Sequence, residues 1–198
     1  GSSGSRPGEG RLARLLDVNQ RLAEELELPR LLEYIIDSAI LLTGAERGFV
    51  LMLDENRPET DNLKVVVARN IDRENIRNRR YKVSYSIAQR VIEAGEAVLT
   101  TDAMGDDRYN EYLSIHHLKL RSVLCLPMTR AGRVLGALYI DNRFQKSAFT
   151  DEDLQFMEAF ANQAAIALSN AQMHEDRQKA LEELAQSQAK VEDLNAQL

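Results

Sequence analysis

The chain has 198 residues, 44% of them hydrophobic, and carries 31 acidic against 25 basic side chains for a formal net charge of −6. A chain of this size buries about 70% of its unfolded surface and so makes its own core, while the acidic balance and a pI near 5.2 argue against a general nucleic-acid surface, which needs clustered positive charge. One cysteine allows no internal disulfide and no apolar run reaches the roughly 20 residues that span a bilayer, so a reducing cytoplasm without membrane attachment is the expected setting.

Residues 1 to 10 are rich in Gly and Ser and read as a linker or cloning scar. Residues 11 to 28 form the first expected helix, in which Leu12, Leu15, Asn19, Leu22 and Leu26 recur at alternating spacings of three and four. Such a seam suits a two-stranded coil, with Asn19 as the polar residue that fixes register. The same spacing also suits a helix packed on its own domain. Pro29 opens the next helix, whose apolar stripe of Leu32, Ile35, Ile36, Ala39, Ile40 and Leu42 ends at Thr43-Gly44 and should cover a sheet.

Phe49 to Leu53 and Leu63 to Ala68 read as a first hairpin around the polar, Pro-containing segment Asp54 to Asn62. A basic stretch follows with Arg69, Arg73, Arg77, Arg79, Arg80 and Lys82. It lacks a Gly-rich turn or interleaved aromatics, so a solvated loop is preferred over a phosphate patch. Ser86 to Ala94 fits a short helix with Ile87, Val91 and Ile92 inward and Gly95 at its end, and Ala97 to Thr101 a short edge strand. The long connection Asp102 to Leu120 gathers Tyr109, Tyr112, His116 and His117; connections of this length tend to be functional or disordered.

The stretch RSVLCLPMTRAGRVLGALYIDN, Arg121 to Asn142, reads as two antiparallel strands joined by a tight turn at Ala131-Gly132. Thr150 then supplies an N-cap, with Asp153 at the capping-box position and carboxylates in the first turn of a helix that runs to the C-terminus. Along it Ile166, Asn170, Met173, Arg177, Ala180, Leu184, Ser187, Val191, Leu194 and Leu198 keep a heptad frame. Leu184, Val191 and Leu194, with the first-helix seam, are the expected interface of a parallel homodimer; the polar members weaken the coil in a way that suits a switch.

From Leu31 to Asn170, through LLTGAERGFV, SIAQRVIEAGEAVLTTDA and RSVLCLPM, the chain resembles the GAF domain, a sensing module of bacterial regulators, and most of all the GAF domains of enhancer-binding activators that work with sigma-54, then those of histidine kinases. The resemblance implies an α/β (α+β) fold: a central antiparallel sheet with helices on one face, a loop and helix cover on the other, and long N- and C-terminal coiled-coil helices. It places the domain at 29 to 172 and a signalling helix at 173 to 198. It also implies that the Ser86 helix and the Asp102 to Leu120 segment close a ligand pocket, and that the output is a sigma-54 ATPase or a histidine kinase in the same chain. The sequence itself contains no GxxxxGK[ST] phosphate loop, so sensing without hydrolysis is expected.

The family's special chemistries are not matched residue by residue. The methionine sulfoxide reductase branch uses several cysteines where this chain has Cys125 alone, and the bilin branch needs a Cys beside His116 and His117. The Asn-Lys-Phe-Asp-Glu constellation of the cyclic-nucleotide branch is not reproduced at Asn142 to Phe149. Neither metal ligands nor catalytic residues are expected: the two histidines are adjacent, without HxxxH or HExxH spacing, and Cys125 reads as an inert strand residue. No cofactor is expected.

Alternation along Val134 to Asn142 puts Val134, Gly136, Leu138 and Ile140 toward the helices and Leu135, Ala137, Tyr139 and Asp141 toward the pocket. Arg90 or Arg121 should then pair with Asp141 or bind an anionic ligand, with Tyr109, Tyr112, His116 and Tyr139 supplying selectivity. The expected function is noncovalent sensing of a small-molecule effector, relayed through a dimeric helical linker. The alternative is a GAF fold that only dimerises.

Overall fold

The computed structural model describes residues 7–54, 62–70, 84–102 and 120–196, and among these hydrophobic patterning becomes nine elements. In chain order they are α1 (Pro7–Glu24), α2 (Leu28–Thr43), β1 (Arg47–Leu53), β2 (Leu63–Asn70), α3 (Tyr85–Ala94), β3 (Val98–Thr100), β4 (Ser122–Arg130), β5 (Arg133–Asn142) and a final helix, here α4 (Asp151–Ala196). The strands form one antiparallel sheet in the order β2-β1-β5-β4-β3. The short β3 is an edge strand, as its sequence implies.

The β4–β5 hairpin closes through Ala131 and Gly132, both at positive φ (51° and 80°), the left-handed pair that a two-residue hairpin turn requires. Pairing shifts just beyond it: Met128 faces Gly136 and Thr129 faces Val134. Leu135 is therefore the extra residue of a bulge, and it packs with the helix-side core rather than with Tyr139. That corrects its expected place on the pocket face. Gly136 lies where β5 meets β1 closely, since a Cβ there would come 2.1 Å from the Leu51 carbonyl oxygen.

Each sheet face has its own core. Val50, Val67, Leu124, Leu126, Leu138 and Ile140 meet Ile35, Ile36 and Ile40 of α2 and Met157, Phe160, Ala164 and Leu168 of α4. Phe49, Leu51, Val65, Val123, Cys125, Ala137 and Tyr139 meet Ile87, Ala88 and Val91 of α3. The expected stop at Gly44 holds, and α2 lies so close to β1 that a side chain at Gly48 would collide with Ile36.

Leu15 and Leu22 of the α1 seam face the chain's own domain, the alternative that their spacing leaves open. Val18 and Leu22 are buried in the chain's own core and Leu15 packs against it; Asn19 is half-buried with its Oδ1 enclosed, and Leu26 is exposed. Burying Val18 and Leu22 is worth about 2 kcal/mol each, so these positions of α1 are occupied by α2 and α4 of the same chain. Leu12 lies in α1, and its side-chain environment is outside the described set.

Helix α4 begins with the expected reciprocal cap: Thr150 N donates to Asp153 Oδ2 (2.8 Å) and Asp153 N to Thr150 Oγ1 (3.2 Å). It continues for 46 residues, roughly 70 Å at 1.5 Å per residue. Its inner face, Met157 to Ala171, lies on the domain. Opposite that face runs the heptad frame, with Ile166 half-buried, Asn170 exposed, and Met173, Leu184 and Val191 more than half exposed. Leu194 falls outside the residues whose burial is described.

Candidate functional site

Register arranges the α3 face in cross-strand rows. Val98, Cys125, Tyr139, Phe49 and Ala68 stand side by side across all five strands, every one of them buried. The next row toward the sheet end reads Thr100, Val123, Asp141, Arg47 and Asn70. It is mostly polar, and nearly all of it is buried: Thr100 is 1%, Asp141 0% and Arg47 5% exposed. Segments 71–83 and 103–119, which include Tyr109, Tyr112 and His116, leave the sheet from this end and lie outside the described residues.

Asp141 and Arg47 share a bidentate ion pair. Arg47 Nε donates to Oδ1 at 2.8 Å and Nη2 to Oδ2 at 2.6 Å, a geometry that adds strength and fixes orientation. The guanidinium also lies 5.5 Å over the Phe49 ring, which attracts a cation. Burial raises the Asp141 carboxyl to about 6 even though Arg47 opposes the shift. Burial alone would lower Arg47, but Asp141 outweighs it and the guanidinium is held above its ordinary value. The pair thus favours the cation more than the anion.

Tyr139 stacks edge-on to Phe49 with ring centres 5.7 Å apart. Burial first, then the Asp141 charge, pushes its phenol well up, with the Ser84 main chain pulling the other way, so it stays a neutral hydroxyl. The Ser84 main chain is the hydrogen-bond partner of the Tyr139 hydroxyl, while Thr100 Oγ1 has none among the described residues. Ser84, just before α3, is fully buried. Cys125 lies in the next strand with its thiol pushed up by burial, which leaves little thiolate for chemistry.

The sheet end is tied shut by charges and one hydroxyl. Asp102 meets Lys146 (2.5 Å) and Arg121 (3.5 Å), and the Lys146 hydrogen bond, ahead of Arg121, holds its carboxyl below the usual range. Ser122 Oγ lies 3.2 Å from the carbonyls of Thr101 and Gln145 and accepts from Ala148 N at 2.9 Å. Arg143 pairs with Glu46, and Asn142 Oδ1 accepts from the amides of Phe144 and Gln145.

Of the residues expected at the site, Tyr139 and Asp141 lie together on the α3 face. The expected partners of Asp141 need correction: Arg90 is exposed on α3, Arg121 binds Asp102, and Arg47 takes the carboxylate. A strand begun at Arg47 instead of Phe49 would have exposed this in the sequence, because Arg47, Phe49 and Leu51 share one face by alternation. A separate cleft of about 480 Å³ between α1 and α2 includes Arg21, Arg30, Glu33 and Asp37 in its lining. Arg21 pairs with Asp17, Arg30 with Glu27, and the buried Arg69 with both Glu33 and Asp37.

Among the described residues no group of three or more His, Cys, Asp or Glu is placed to hold a metal ion, and no helix is long and apolar enough to cross a membrane.

Comparisons with known proteins agree with this architecture. The chain is 26% identical over 176 residues to a dual 3′,5′-cyclic-AMP and -GMP phosphodiesterase 11 of Drosophila melanogaster, covering 83% of the chain but 12% of that protein. It is 30% identical over 76 residues to hybrid signal transduction histidine kinase G of Dictyostelium discoideum, covering 38% of the chain and 2% of that protein. Among solved structures, the GAF domain of an Acinetobacter phosphoenolpyruvate-protein phosphotransferase superposes with a TM-score of 0.65 at 15% identity, covering 85% of this chain and 97% of that one. The family profile described as GAF domain matches residues 27–168, and the chain belongs to the GAF domain family.

Proposed function

We propose that this GAF domain is the sensory module of a bacterial signalling or transcription regulator in the cytoplasm, binding a small molecule noncovalently on the α3 face and relaying its state through a dimeric α4 to an output domain. The observation that carries the reading is the continuity of α4. One helix packs on β4 through its inner face and leaves the domain with a regularly spaced apolar face exposed. A rigid helix converts a small change at the sheet into a shift or rotation farther along.

An extended helix whose exposed face carries Met173, Leu184 and Val191 is matched by a second copy of itself, through knobs-into-holes packing on the heptad frame. The resemblance at LLTGAERGFV and RSVLCLPM makes a sigma-54 ATPase or a histidine kinase the proposed output, and the kinase relative supports the second. Light scattering of the full chain and of a chain ending at Gln172 tests the relay, with a dimer expected for the first and a folded monomer for the second. A GAF scaffold that only dimerises gives the same result without any saturable ligand, so a thermal-shift screen with metabolites separates the two.

A further inference from the structure

Arg177 interrupts the exposed apolar stripe of α4 without an acidic neighbour on its own helix face. It is exposed and stands in one column with Asn170, Leu184 and Val191. The residues three and four positions away, which are its neighbours on a helix surface, are Met173, His174, Ala180 and Leu181. Among the described residues no ion pair engages Arg177. Asp176 is the complementary case. Its carboxylate accepts from the neutral Gln172 Nε2 at 3.3 Å, and Lys179, the basic residue three positions on, is taken by Glu175 at 2.7 Å. Adjacent side chains on a helix point about 100° apart, so Asp176 and Arg177 of one chain do not face each other.

The heptad frame supplies the pairing across two chains. With Leu184 and Val191 at position a, Arg177 is also an a residue, Asp176 is the g residue before it, and Met173 and Ala180 are the d residues on either side. In a parallel, in-register pair an a knob enters a hole of four residues on the facing helix, which for Arg177 are d, g, a and d: the partner's Met173, the partner's Asp176, the partner's Arg177 and the partner's Ala180. The small Ala180 leaves room for a guanidinium, and the Asp176 carboxylate flanks it. Two-fold symmetry repeats the contact, so two guanidiniums that would repel each other in one layer are each met by a carboxylate of the other chain. Resting on the dimeric α4 of the sensor reading above, we propose that α4 joins a second copy of this chain in parallel and in register through a reciprocal Arg177–Asp176 clasp, set between the domain and the apolar layers of Leu184 and Val191. The clasp fixes the orientation and brings the two C-terminal ends out side by side. It is also the salt-sensitive layer of the coil, because exposed ion pairs are screened.

The test measures the dimer dissociation constant of the full chain by analytical ultracentrifugation, at about 0.1 M and about 1 M salt, for the wild type, Asp176→Arg, Arg177→Asp, the double exchange Asp176→Arg/Arg177→Asp, and Arg177→Leu. Each single reversal puts like charges into the clasp and should weaken the dimer about tenfold at the lower salt. The double exchange restores opposite charges across the two chains and should return the constant to within about threefold of the wild type, the signature of a pairwise contact. Arg177→Leu replaces a charged layer by an apolar one and should tighten the dimer about tenfold while reducing its dependence on salt. A double exchange no tighter than the single reversals, single reversals that leave the constant unchanged, or an Arg177→Leu dimer no tighter than the wild type overturns the clasp while leaving the dimeric reading in place, as an antiparallel or shifted coil would. A wild-type chain that stays monomeric at every concentration overturns both.

Discussion

Arg47 and Asp141 stand opposite each other on β1 and β5 and close a two-bond ion pair with side chains 6% and 0% exposed. Their positions are 94 residues apart in sequence, so this pairing is a product of register alone.

Removing either half of the pair leaves the other charge buried, so Arg47→Met and Asp141→Asn should each cost about 3–5 kcal/mol at pH 7.5. The Arg47→Met penalty should shrink as pH falls, because the Asp141 carboxyl can take up a proton, whereas the guanidinium left by Asp141→Asn stays charged. Urea denaturation of both variants at pH 7.5 and pH 5 measures this; an Arg47→Met penalty that grows as pH falls would contradict it.

The same pair gives a pH signature. Asp141 titrates at about 6 in the folded chain, against about 3.9 unfolded. The folded state therefore holds the proton to higher pH, and this contribution to stability is full below about pH 4 and lost as pH rises through about 6, in total about 3 kcal/mol. Other carboxylates titrate too, so the quantity to measure is the difference between the wild type and the double variant Arg47→Met/Asp141→Leu from pH 4 to 7. The wild type should lose stability relative to the double variant as pH rises; the opposite slope would show that Arg47 holds Asp141 below its unfolded value.

Gly136 should tolerate no side chain. A Cβ there would sit 2.1 Å from the Leu51 carbonyl oxygen and 3.0 Å from Met52 Cα, both backbone, so β1 and β5 would have to part. Gly136→Ala should cost about 3 kcal/mol, the upper end for overpacking, read as a lowered urea midpoint. A wild-type midpoint would mean that the strands adjust freely.

Cys125 should behave as a small hydrophobe. It is fully buried between Val98 and Tyr139 and its thiol is pushed up by burial. Cys125→Ala should cost about 1 kcal/mol, and alkylation by iodoacetamide at pH 7.5 should proceed only as fast as the chain opens. Rapid modification of the native protein would contradict this.

The parts of the fold legible in the sequence are those set by local chemistry. Ala131-Gly132 between two apolar runs specifies the hairpin, and Thr150 with Asp153 specifies the start of α4. Alternation also places Tyr139 on the α3 side correctly. What local patterning does not carry is the identity of a partner. The Leu15, Asn19 and Leu22 spacing is the same whether the seam meets a second chain or the protein's own α2 and α4. Arg47 carries no local signal because its role depends on β5, and the bulge at Leu135 interrupts the period of two on which alternation relies.

Because Val18 and Leu22 are core residues, removing α1 should unfold or strongly destabilise the domain, whereas removing residues 173 to 198 should shift its melting temperature by no more than about 2 °C, as for surface changes. Leu184→Glu with Val191→Glu in the full chain should abolish the proposed dimer without altering the melt of the domain itself. A strong dimer that survives both the truncation and the double substitution would place the interface elsewhere.

The central claim is that the α3 face binds a small molecule, and titration calorimetry of the full chain against a broad library of metabolites tests it most directly. At least one compound should give saturable heat near one site per domain and a rise in melting temperature of about 5–10 °C at a hundredfold excess over its dissociation constant. No saturable heat from any compound would contradict it and leave a dimerising scaffold as the function of the fold.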